Sequence, residues 1–127
     1  PVAVAPVTSP MEKIHAALKR LNNNQLDSAQ VVMRTADLLR DYIRTRFSVN
    51  APELTTSELL ILMNRQGTLL PVQLMKGLFE MLDYADSIKF AGQTVLEEDA
   101  GRVLGAAYQW VTDTEYAIQF SENVQSV

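Results

Sequence analysis

The chain has 127 residues, 47% apolar and 20% charged, a composition that supports one globular core and is not that of a disordered segment. It has no cysteine and one histidine, which excludes disulfides, thiol catalysis and Cys- or His-rich metal sites. The net charge of −4 is uneven, with seven Lys/Arg against four Asp/Glu in residues 1–50 and four against eleven in residues 51–127; this dipolar layout suits a protein partner better than nucleic acid.

The opening PVAVAPVTSP holds three prolines and no charge, so residues 1–8 are predicted to be an extended linker. Ser9-Pro10 has the form of an N-cap followed by proline at the first helical position. Met11, Ile14, Leu18 and Leu21 follow at helical spacing, and NNNQ at 22–25 ends the helix. His15 lies one residue after a core position.

The second helix is predicted over 26–47. Ala29, Val32, Ala36, Leu39 and Ile43 form its apolar stripe, while Gln30, Arg34, Asp37, Asp41 and Arg44 lie on the other side. Asn50-Ala51-Pro52 breaks it, because a proline disfavours helical dihedrals in the residue before it. Thr55 and Glu58 have capping-box spacing ahead of Leu59–Met63, and Gly67 is the expected stop.

Pro71 opens the fourth helix, whose face is Leu74, Leu78, Met81, Leu82 and Ala85, and KFAGQ is the expected break. Thr94 and Glu97 suggest a further capping box, with Glu97, Glu98 and Asp99 suited to a helix N-terminus. Val103, Leu104, Ala107, Trp110 and Val111 form the last buried stripe, and the tail 121–127 is expected to fray. No alternating segment reads as a strand. The expected fold is all-α, a single bundle of about five helices over residues 9–120.

Sites of chemistry are scarce. Glu80, Asp83 and Asp86 have spacings that allow a shared helix face, but a solvated helix end explains them. A serine nucleophile would have only His15 as a histidine base, and no glycine-flanked serine elbow occurs. Gly101 and Gly105 each cost a helix interior about 1 kcal/mol; close approach of another helix within the bundle is the expected compensation, a docking groove for a partner helix the alternative. Helices 56–65 and 71–84 superficially resemble a helix-turn-helix, but the second carries Lys76 against Glu80 and Asp83, a net negative element facing a polyanion. The longest apolar run, Leu59–Met63, has five residues against about 20 for a membrane span. Arg34, Arg40, Arg44 and Arg46 are the basic cluster.

Three stretches share an order and spacing: LLRDYIRTRFSVNAPELTTSELL at 38–60, FEMLDYADSIKFAG at 79–92 and EEDAGRVLGAAYQWV at 97–111. Together they resemble the cytoplasmic C-terminal region of BatD-like bacterial membrane proteins, which are encoded with MoxR-type AAA+ ATPases and von Willebrand factor A domain proteins. Arg46-Phe47, Ala51–Thr56, Asp86 and Lys89-Phe90-Ala91 are the most specific pieces. The proline usual near the start of the family's last helix is missing from GQTVLEED.

The resemblance implies a non-enzymatic interaction domain on the cytoplasmic side of the inner membrane, acting with a MoxR-type ATPase or a von Willebrand factor A partner in envelope maintenance or stress tolerance. It implies no catalytic residue and no cofactor. The chain starts at Pro1 and reads as a fragment of a longer protein, so a hydrophobic span just upstream is expected, with membrane contact through that span alone. Candidate interaction residues are Arg44, Arg46, Glu53, Asp86 and Lys89, the last two expected as polar fasteners or a docking edge around a buried Phe90. The alternative is a regulatory domain that binds a small ligand or an anion between helices.

Overall fold

A computed structural model describes residues 8–23, 25–66 and 70–125. Residues 1–7 of the predicted linker over 1–8, and the glycine stop at Gly67, lie outside the described residues. The described residues form five helices: α1 (Pro10–Asn23), α2 (Ser28–Phe47), α3 (Thr56–Arg65), α4 (Val72–Ala91) and α5 (Glu97–Gln125). A short turn of 3-10 helix, Ala51–Glu53, joins α2 to α3, and the described residues include no strand.

Local chemistry sets the helix starts. Ser9 Oγ accepts from the Glu12 amide at 3.1 Å, and Pro10 is the first helical residue. Asp27 caps α2 in a reciprocal box with Gln30, and Thr55 caps α3 in one with Glu58; each box satisfies two amides that the first turn would otherwise leave bare. The amide and side chain of Thr55 hold the Glu58 carboxyl below its ordinary pKa. Ser48 ends α2 in a left-handed conformation (φ 56°), its amide bonded to the Arg44 carbonyl.

α2 is the central helix. It packs against α1, α4, α5 and the Ala51–Glu53 turn, while α3 lies outside against α4. Its stripe of Val32, Leu39 and Ile43 is fully buried. Leu18 of α1, Leu59 and Met63 of α3, Leu78 and Leu82 of α4 and Val111 of α5 close the core around it. Each such side chain contributes about 1.5–3 kcal/mol through burial. The predicted all-α bundle and its apolar stripes are what the chain forms.

α4 ends within KFAGQ as expected: it runs through Ala91, and Gly92 takes a left-handed C-cap (φ 64°). Two local expectations are corrected. Phe90 is not buried: it is 77% exposed, because two residues beyond buried Ile88 is about 200° around a helix. The capping box at Thr94 does not start α5, where the Asp99 and Ala100 amides bond to the Leu96 carbonyl. α5 is helical through Gln125.

The glycine pair is the third correction. A Cβ at Gly101 or Gly105 would meet nothing within 4 Å, and both positions are exposed. No close helix approach inside the bundle requires them.

Candidate functional site

Arg40 lies on the edge of the buried stripe of α2, one turn after Ala36, and bonds three separate partners. Ala51-Pro52-Glu53 cannot continue a helix and turns two backbone carbonyls back toward α2. Arg40 Nη1 donates to Ala51 O at 2.9 Å and Leu54 O at 2.6 Å, and Nη2 donates to Thr56 Oγ1 at 3.0 Å. The Thr56 hydroxyl in turn donates a hydrogen bond to Asp86 Oδ2 at 2.7 Å. One guanidinium thereby ties α2, the turn, the start of α3 and, through Thr56, α4. The planar fork of arginine spreads these bonds over two nitrogens, which a single lysine ammonium cannot do.

Above this network, a groove of about 600 Å³ opens between α2, the turn and α4. Three of the predicted residues line it: Glu53, Asp86 and Lys89. Its ionic lining is balanced, with Arg34, Arg40 and Lys89 against Asp37, Glu53 and Asp86. Asp86 and Lys89 do not pair with each other. Asp86 faces Thr56 as a fastener, and Lys89 Nζ lies 5.4 Å from the centroid of the exposed Phe90 ring. The edge expected around a buried aromatic is an edge topped by an exposed one.

The other two predicted residues are elsewhere. Arg44 is exposed and pairs with Asp41 at 3.3 Å within α2. Arg46 reaches across to α5, where its Nε bonds Glu115 Oε2 at 2.9 Å and Oε1 at 3.2 Å. The Tyr42 hydroxyl donates to the same carboxylate. Burial and the Glu115 carboxylate push the Tyr42 phenol far above its ordinary pKa. Burial opposes the charge on Arg46, but the bond and charge of Glu115 outweigh it and raise the Arg46 pKa.

The remaining polar contacts are equally committed. The His15 ring stacks on Tyr108 at 3.7 Å and 12°, with Nε2 at 3.2 Å from the Tyr108 carbonyl and 3.3 Å from Thr112 Oγ1. Of the three spaced carboxylates, Glu80 lines a groove against α5 while Asp86 lines the one against α2, so they do not share a face. No cluster of three potential metal-ligating side chains occurs among the described residues, and none of their helices is long and apolar enough to cross a membrane.

Sequence reasoning placed Arg40 in a basic cluster and overlooked its role. The available signal was an arginine beside an apolar stripe, followed by a proline turn whose carbonyls need donors. Glu115 and Tyr42 gave no such signal, because their partner is 69 or more residues away. Comparison with family models, curated proteins and solved structures finds no match.

Proposed function

We propose that this chain is a non-catalytic protein-interaction domain, carried on the cytoplasmic side of a bacterial inner membrane by an anchored parent of the BatD-like type. Its partner in this reading is a MoxR-type AAA+ ATPase or a von Willebrand factor A domain protein. The supporting observation is the convergence of Glu53, Asp86 and Lys89 on one groove, with Phe90 exposed at its edge and the hydrogen-bonded Arg40 network in its lining. An exposed aromatic flanked by charge is an anchor of the kind that protein interfaces use. The balanced lining of the groove gives no preference for an anion, which favours a protein occupant over the ligand alternative.

The test is a titration of the domain and of its anchored parent with the ATPase and the von Willebrand-type proteins encoded beside its gene. Binding that weakens with Lys89→Glu or Phe90→Ser, both exposed positions, is the expected result. No binding by either form sinks the proposal, and a metabolite held through native mass spectrometry transfers support to ligand sensing.

A further inference from the structure

A second groove lies between α4 and α5, on a different face from the one above. Gly77 and Met81 of α4 and Val103, Ala106 and Trp110 of α5 give it an apolar lining, within a volume of about 630 Å³. Trp110 is fixed there by its Nε1, which donates to the Leu74 carbonyl at 2.8 Å. Gly77 is not forced by packing, since a Cβ would meet Trp110 Cδ1 at 3.7 Å, an ordinary contact. Glycine costs this helix about 1 kcal/mol relative to alanine, and it leaves the trough deeper.

The rim is acidic. Glu80, Asp99 and Asp113 stand along it, and the one cation of the lining, Arg102, is paired with Asp99 at 2.9 Å. Between Asp99 and Asp113 the α5 backbone rises about 21 Å, the length of about four helical turns. With Asp99 held by Arg102, Glu80 and Asp113 leave the lining net negative, and an apolar trough of that charge complements a helix with an apolar stripe flanked by Lys or Arg better than it does a polyanion.

We infer that the α4–α5 groove docks a basic amphipathic helix of about four turns from a partner protein. The inference extends the interaction reading to a second face, and it does not depend on the α2–α4 groove.

The probe is a labelled peptide of about four turns, leucine and lysine set at helical spacing, with a leucine/glutamate peptide as control. Fluorescence anisotropy measures binding, and emission from Trp110, the single tryptophan, reports contact with the groove. The lysine peptide binds, shifts that emission and weakens about tenfold or more in Glu80→Lys/Asp113→Lys, a loss of about 1.4 kcal/mol or more, with helical content retained. Ala106→Arg, which fills the trough at an exposed helical position, abolishes the emission shift and provides the same test if the charge-reversed variant unfolds. Lys89→Glu/Phe90→Ser leaves peptide binding intact, which separates this site from the α2–α4 groove. No binding, equal binding of the glutamate peptide, or undiminished binding by the folded Glu80/Asp113 or Ala106 variants overturns the inference.

Discussion

Arg40 and Asp86 are joined through a single hydroxyl. Thr56 Oγ1 accepts from the Arg40 guanidinium at 3.0 Å and donates to the Asp86 carboxylate at 2.7 Å. Thr56 is only 6% exposed, so little water is available to replace the bonds. The relay compensates the charge of Arg40 while its other amino group holds the carbonyls of the turn.

Thr56→Val keeps the shape and removes the relay. Both charged neighbours then lose a partner, and the expected destabilisation is about 2–3 kcal/mol. Thr56→Ser should recover most of it. Arg40→Lys should be at least as damaging as Thr56→Val, since one ammonium cannot reproduce the fork that reaches Ala51, Leu54 and Thr56. Urea denaturation gives these differences, and a double-mutant cycle between Arg40 and Asp86 measures the coupling through the hydroxyl.

Thr114 is the opposite case. It is fully buried, and its hydroxyl oxygen has no hydrogen-bond partner among the described residues. Thr114→Val replaces a bare polar atom with a methyl of similar size, and an increase in stability of about 1 kcal/mol is expected. The same substitution thus has opposite signs at positions 56 and 114. A loss of stability at 114 in urea melts would refute the second half of that pair.

Gly101 and Gly105 lie within α5, with open space where a Cβ would stand. Gly→Ala should stabilise by about 0.5–1 kcal/mol at each, raising Tm by about 4 °C per kcal/mol. Gly92→Ala should do the reverse by about 1 kcal/mol, because its φ of 64° is strained for any residue with a Cβ. Thermal unfolding of the three single variants measures all of these effects.

The phenol of Tyr42 is raised in the folded state, first by burial and then by Glu115. A raised folded pKa means that its stability contribution is complete below about pH 10, the unfolded tyrosine value. Above that pH the unfolded chain releases the proton and the folded chain retains it, so stability falls as pH rises. The slope attributable to this residue is at most about 1.4 kcal/mol per pH unit. Stability of wild type and Tyr42→Phe across the alkaline range isolates it: wild type should decline more steeply, and parallel curves would exclude the coupling.

Legibility from sequence followed the range of the interaction. The caps at Ser9 and Thr55 involve residues three apart, so spacing alone revealed them. The box at Asp27–Gln30 was equally local and readable, although Gln30 was assigned only to a polar face. Apolar stripes were legible because burial repeats with the helix period. Phe90 was misplaced because it was paired with Ile88, which is buried, whereas two residues further along a helix lies on the opposite side. Of the five candidate site residues, Glu53, Asp86 and Lys89 line one groove, while Arg44 and Arg46 make contacts on other sides of α2.

The order, number and inward faces of the helices were determined by the sequence itself, since periodicity, caps and proline breaks act over a few residues. Tertiary structure decided which polar groups meet. Arg40 became a fastener only when the turn placed two carbonyls and a hydroxyl around it, and Glu115 joined Tyr42 and Arg46 only when α5 packed on α2. Likewise the acidic rim and apolar lining of the α4–α5 groove come from two separate segments. Such sites depend on how helices pack, and packing depends on contacts that no local pattern along the chain records.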